Sequence, residues 1–229
     1  MPITLYDLAG QGDRRFSPYC WRIRMALAHK GLEYETHPTG FLKIASICGG
    51  GQKTLPVIDD GGKVMSESFD IARYLEETYP DKPSLFGGAG GEAAARFIES
   101  WANAALTPVL ARCCVRDIHD GLFEEDKAYF RETREKRLGG TLEDIQSGRE
   151  ARIEELYAVL TPLRVMLGKQ PWIGGDQPLY HDYIVFGTLQ WPRVTSKLAL
   201  LKQDDKVTEW FGRMLGLYDG LGASMPAAA

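Results

Sequence analysis

Three short stretches in the first third of the chain carry residues able to do chemistry together. Phe16-Ser17-Pro18-Tyr19-Cys20 sets a hydroxyl immediately before a proline, a pairing that suits the start of a helix, where the missing proline N–H costs nothing. A hydroxyl there can cap the helix with its lone pair and still has a proton to donate. Thr54-Leu55-Pro56-Val57 leads into an apolar run with a proline at its mouth. Ser66-Glu67-Ser68 opens an amphipathic stretch; a carboxylate and hydroxyls at such a place either cap the helix or receive a charged ligand. Ser17 and Cys20 keep the spacing of a redox dithiol, with serine in the attacking position. Cys20 is thus either a working thiol or, one turn into the helix, a small buried hydrophobe.

Other patterns lead nowhere. Gly49-Gly50-Gly51-Gln52-Lys53-Thr54 approaches a phosphate-binding loop, but Gln52 stands where that motif needs glycine. Cys20, Cys48, Cys113 and Cys114 show no metal-pair spacing, and the four histidines form no zinc motif; no metal is expected, and the cysteines read as reduced thiols. A net charge of −4 over 229 residues argues against a nucleic-acid partner, which calls for a basic stripe. No apolar run approaches the roughly 18 residues of a membrane span, and the start at Met1-Pro2-Ile3 lacks the look of a signal peptide. A soluble cytoplasmic protein with no membrane partner is the expectation.

The elements that must hold those residues change character along the chain. Residues 3–8 alternate as a strand, 18–30 show helical spacing closed by Gly31, and 33–37 read as a second strand. After a poorly defined link, residues 55–59 and 63–66 form two short runs joined by Asp60-Gly61-Gly62, a hairpin signal, and a helix over 67–79 ends at Tyr79-Pro80. Strand, helix, strand and hairpin together require a small mixed sheet. Residues 81–91 are rich in Gly and Pro and form a linker. Beyond it only helices are predicted, over 92–112, 124–136, 149–167, 182–200 and 207–217, with a loop over 138–148. The expectation is two domains, 1–80 and 92–229.

In order and spacing, the turn at Ser17, the proline at 56 and the Glu-Ser pair at 67–68 resemble the glutathione-binding half of the cytosolic glutathione transferases. Glu67-Ser68-Phe69-Asp70-Ile71-Ala72-Arg73-Tyr74-Leu75 is similar to that family's pattern. Past the linker, Leu138-Gly139-Gly140, Leu142-Glu143-Asp144, Gly148-Arg149-Glu150 and Trp172-Ile173-Gly174-Gly175-Asp176-Gln177-Pro178 resemble the bacterial β-aryl-etherase branch and related fungal enzymes.

The resemblance implies an α/β thioredoxin-like N-terminal domain plus an all-α C-terminal helical domain, working as a homodimer. It implies glutathione as co-substrate, whose thiolate attacks a hydrophobic, aromatic electrophile by conjugation or aryl-ether cleavage. Ser17 would then hold the thiolate, with helix capping alone as its plain alternative. Thr54, Leu55 and Pro56 would carry the tripeptide as an added strand, through a cis Leu55–Pro56 bond. Glu67 would meet the γ-glutamyl ammonium, and Ser68 with free helix N–H groups its carboxylate. Lys43 is a candidate for the glycyl carboxylate or else a solvated surface lysine. Arg112, Cys113, Arg116 and Trp191 are candidates for the second-substrate pocket, though aromatic residues at helical spacing also serve as core. One departure is Leu179, which stands where the family has a capping Ser or Thr three residues before Asp182; a lost cap costs ~0.5–2 kcal/mol. Two rival functions remain: a glutathione-binding carrier of apolar ligands, and a thiol-redox enzyme working through Cys20.

Overall fold

In the computed structural model, which describes residues 2–228, the alternation of buried Ile3 and Leu5 with half-buried Thr4 and Tyr6 forms the strand β1 (Ile3–Gly10). Met1 and Ala229, the outer limits of the two expected domains, lie outside the described residues. β1 pairs in parallel with β3 (Tyr34–Thr39), Ile3 opposite Tyr34, and antiparallel with β4 (Val57–Asp60), Leu5 opposite Ile58. β4 turns back into β5 (Lys63–Ser66) through Gly61 and Gly62, whose φ angles of 61° and 96° explain the glycine pair. The result is the mixed sheet that a strand–helix–strand unit followed by a hairpin demands. A two-residue strand, β2 (Arg14–Arg15), also pairs with the end of β1; it is too short to show a period in sequence. The undefined link contains a tight helical coil at Phe41–Gly49. α1 (Pro18–His29) and α2 (Ser68–Thr78) complete this thioredoxin-like half.

The rest is helical: α3 (Ala89–Trp101), α4 (Thr107–Asp120), α5 (Glu124–Leu138), α6 (Leu142–Gln146), α7 (Arg152–Val159), α8 (Thr161–Leu167), α9 (Tyr180–Thr195) and α10 (Lys206–Gly220). Several boundaries differ from the sequence reading for local reasons. The helix expected over 92–112 runs on to Asp120 through a widened turn, Ala102–Leu106. Pro108 cannot donate to the turn before it, and the wider turn absorbs that missing bond. The stretch 149–167 is divided at Thr161-Pro162, and α9 stops at Thr195 rather than 200. The expected loop 138–148 contains α6, started by Thr141, whose hydroxyl oxygen accepts from the Asp144 N–H at 3.1 Å.

One apolar core runs through both halves. Trp21 on α1 stands edge-on to Phe186 on α9, ring centres 6.0 Å apart, and both are buried. Gly187 makes this approach feasible, because a Cβ there would lie 2.3 Å from the Pro18 carbonyl oxygen. A helix-interior glycine costs roughly 0.5–1 kcal/mol; here it lets α9 press against the first turn of α1. The halves are also tied by Arg22, fully buried, which pairs with Glu99 of α3 at 3.0 Å.

The linker is strapped down by one carboxylate. Glu76 accepts from the Leu85 N–H at 2.9 Å and from the Ser84 hydroxyl, and pairs with buried Lys30 at 2.9 Å. Burial alone would push its carboxyl up; the Leu85 and Ser84 hydrogen bonds and Lys30 outweigh that and hold its pKa below the ordinary glutamate value. A depressed pKa in the folded state means that the strap's contribution is complete at neutral pH. It is lost as the pH falls from the ordinary value of ~4.3 through the folded one. Protection of the Leu85 amide against hydrogen exchange, corrected for intrinsic rate, is therefore expected to drop across that window, and to lose that pH dependence in Glu76→Gln, which keeps one acceptor oxygen but no titrating charge. Protection that ignores pH in the wild type contradicts this account.

Candidate functional site

The site is built outward from the first turn of α1. Ser17 adopts an extended backbone and its Oγ accepts from the Cys20 N–H at 3.3 Å, while its carbonyl takes the Trp21 N–H. That is a long capping bond made with a lone pair; the hydroxyl proton is free to turn either to the buried Cys20 sulfur or to a ligand. Ser17 is only 4% exposed yet lines a cavity of about 690 Å³. Any anion there meets a hydroxyl donor and the positive end of a helix together.

Thr54, Leu55, Glu67 and Ser68 line the same cavity. The Leu55–Pro56 bond is cis; Pro56 itself is buried behind the wall rather than part of it. Among the described residues the backbone N–H and C=O of Leu55 make no hydrogen bond, so they can pair with an extended peptide. Glu67 holds φ at +70°, a region non-glycine residues avoid at a cost of about 1–3 kcal/mol. Two contacts keep it there. The Thr54 hydroxyl donates to the Glu67 carboxylate at 2.7 Å, and the Tyr180 hydroxyl of α9 donates to the buried Ser68 carbonyl at 2.9 Å. In that conformation Glu67 does not cap α2, nor does any other side chain, so the first N–H groups of the helix are open to an anion. Lys43 is exposed and stands outside the cavity, whereas Lys53 lines it. Lys53 was hidden by its place in the failed phosphate-loop pattern.

The remaining wall comes mostly from the helices and mixes apolar faces with charged side chains, among them Arg96, Arg134 and Arg137. On α4 the cavity face is Thr107, Ala111, Val115 and Ile118. Arg112, Cys113 and Arg116 therefore do not line it: Arg112 and Arg116 are exposed and Cys113 is buried in the core. At 100° per residue, the expected set lies about 150° around the helix from the cavity face, nearly opposite it. Trp191 does line the cavity. Opposite, Phe41, Phe130 and Tyr129 cluster with ring centres 5.6–6.2 Å apart. Phe41 is fixed from α5, where the Asp126 carboxylate accepts from the Phe41 and Leu42 N–H groups at 2.8 and 2.9 Å. The cavity thus joins two helix N-termini to an aromatic cluster that has a guanidinium beside it.

Residues 13–83 match the glutathione S-transferase N-terminal domain, and residues 93–215 match the glutathione S-transferase C-terminal domain. The chain belongs to the glutathione S-transferase family. Glutathione S-transferase Z1 of Arabidopsis thaliana is 36% identical over 90 residues, a match covering 34% of this chain and only 41% of that protein. The glutathione S-transferase-like protein ustS of Aspergillus flavus is 27% identical over 83% of this chain and 80% of its own. A glutathione S-transferase of Ceriporiopsis subvermispora, solved in complex with glutathione, superposes with a TM-score of 0.82 at 25% identity, covering 96% of this chain and 98% of that one.

Within this family member Cys20 occupies the second position of the redox spacing, and its surroundings oppose redox work. It has no exposed surface, and burial pushes its thiol well above the ordinary value, with the buried Asp7 carboxylate adding to the effect. A reactive thiol needs an accessible thiolate. Among the four free cysteines, only Cys48 is more than buried. Brief treatment of the native protein with iodoacetamide is expected to label Cys48 and spare Cys20, as read by peptide mass spectrometry. Preferential labelling of Cys20 would restore the redox reading. Among the described residues no cluster of His, Cys, Asp or Glu is placed to hold a metal ion, and no helix is long and apolar enough to cross a membrane.

Proposed function

We propose that the protein is a glutathione-dependent transferase in which Ser17 stabilises the glutathione thiolate for attack on an aromatic electrophile. The observation that carries this reading is the Ser17 hydroxyl at the α1 N-terminus, lining the same cavity as Leu55 and the uncapped start of α2. Glutathione is the co-substrate. Its cysteinyl backbone pairs with Leu55 as an added strand, its γ-glutamyl ammonium meets Glu67, and the adjoining carboxylate takes Ser68 and the α2 N–H groups. Lys53 is the cation available to the glycyl end. In this proposal residues 1–80 hold glutathione, 81–91 connect, and 92–229 supply the second-substrate wall; two copies form a homodimer.

The energetics are adequate. Lowering a free thiol from ~8.5 by two units takes about 2.7 kcal/mol. A helix N-terminus supplies roughly 0.3–2 kcal/mol, and a hydrogen bond to a charged acceptor ~1.5–3 kcal/mol. The helix alone falls short; helix and hydroxyl together suffice. In the reaction the sulfur lone pair forms the S–C bond as the C–X bond breaks, and X departs with its electron pair. X is halide in a conjugation and aryloxide in an aryl-ether cleavage. The second-domain phrases shared with the β-aryl-etherase branch favour including ethers in the test.

The test is mass-spectrometric detection of the glutathione adduct after incubation with an activated aryl halide and with a β-aryl ether. An adduct from either, formed faster than without protein, supports the transferase. No adduct from any electrophile, with glutathione and an apolar dye both bound, makes the protein a carrier instead.

A further inference from the structure

The helix α5 carries three arginines at one spacing, and only one of them has an acid. Arg131 is held by Glu135 and Glu143 at 2.9 Å. Arg134 and Arg137 line the cavity, and among the described residues neither has a carboxylate within 4.0 Å. Arg96, a further cation of the cavity, shares Asp70 and Glu99. Arg134 is half-buried, its guanidinium 4.6 Å from the Phe130 ring centre and 5.0 Å from that of Phe41. Its side-chain partners among the described residues are hydroxyls, that of Thr133 at 2.9 Å and that of Tyr129, and neither is an anion at neutral pH. Burial disfavours its charged form, and the Arg137 charge adds to this, so its pKa lies below the ordinary arginine value. A partly desolvated guanidinium left without an anion carries a cost, and an anion arriving with a ligand offsets it.

Its position relative to the reacting atoms follows from the rings between them. Phe16 precedes Ser17, the Phe16 and Phe41 ring centres are 6.5 Å apart, and the Arg134 guanidinium lies 5.0 Å from the Phe41 ring centre. An aromatic body laid along Phe41 would have one end near the sulfur and the other at the guanidinium. We propose that the second substrate is an aromatic electrophile bearing a carboxylate, which Arg134 and Arg137 receive while the electrophilic carbon faces Ser17. This rests on the transferase reading for its orientation, but the anion site itself is a matter of binding.

The experiment therefore measures binding apart from turnover. Quenching of tryptophan fluorescence is followed as chloronitrobenzoate or the matching neutral chloronitrobenzamide is titrated in the presence of S-methylglutathione, which cannot react. The wild type is expected to bind the acid ~10–100-fold more tightly than the amide, as charge-assisted hydrogen bonds allow. Arg137→Gln, at an exposed position, should lose part of that preference and Arg134→Gln most of it, with Arg134→Lys keeping some. Equal binding of acid and amide by the wild type overturns the proposal, whatever the turnover assay gives. Variants that keep the preference but bind glutathione itself more weakly also overturn it, because the two arginines would then serve the glycyl carboxylate. Failure of adduct formation with the acid preference intact leaves this site standing and removes the transferase reading instead.

Discussion

Replacing Asp182 by alanine is expected to lower the stability of the protein by about 3–5 kcal/mol, a large share of the roughly 5–15 kcal/mol that a folded domain has. Asp182 is fully buried, and its carboxylate accepts four hydrogen bonds: from the N–H groups of Ile173, Gly174 and Leu179 at 2.8, 2.9 and 3.1 Å, and from the Trp210 indole at 2.9 Å. Removing it orphans three buried donors and one part-buried one at once, and each buried orphan costs ~1–3 kcal/mol before relaxation. The expected weakness at Leu179, which has no oxygen to cap α9, is thus corrected: the Asp182 carboxylate reaches back to the Leu179 N–H and secures the helix start itself. The consequences reach the site, because α9 presses on Pro18 through Gly187 and carries Trp191 and Tyr180. Asp182→Asn keeps one acceptor oxygen and should fall between the two. Urea unfolding followed by far-ultraviolet circular dichroism measures this. A loss below about 1 kcal/mol in Asp182→Ala means the four bonds are replaced by water.

The second large effect is chemical. Ser17→Ala is expected to reduce turnover at saturating glutathione by about 10–100-fold near neutral pH, the worth of one hydrogen bond to a charged sulfur. The sign of its pH dependence is fixed. Loss of the donor raises the pKa of the bound thiol, so the activity profile moves to higher pH. Above both values each enzyme holds full thiolate, and the deficit narrows. A deficit that stays constant from acid to alkaline conditions would assign Ser17 to structure. Loss of the Cys20 cap is the structural part of the change, and at 3.3 Å that bond is weak. Thermal stability should therefore change far less than turnover does.

What could be read in the sequence was local or carried by three-residue signals. Ser17 before Pro18 declares a helix start in two residues, and the Asp60-Gly61-Gly62 turn declares a hairpin. The cis bond before Pro56 came through the family resemblance, since nothing local distinguishes it from a trans proline. The apolar face of α4 was harder. Its residues are apolar on both the cavity-lining side and the core side, Cys113 standing about 160° from Ala111 and Val115, so sequence period alone could not choose between them. Asp126 and Arg134 carried no signal at all. Charged residues on a polar helix such as α5 read as solvated, and only the fold brings one beneath the Phe41 backbone and the other over its ring. Glu67 is a similar case, because its positive φ depends on Thr54 and Tyr180, thirteen residues before it and over a hundred after it.

The central claim is that this cavity ionises glutathione through Ser17, and the ultraviolet thiolate absorbance of bound glutathione, titrated against pH, tests it most directly. The wild type should half-ionise the bound thiol about two units below the free value of ~8.5, and Ser17→Ala should return it most of the way. A wild-type titration at the free-thiol value, or one that Ser17→Ala leaves unmoved, contradicts the claim.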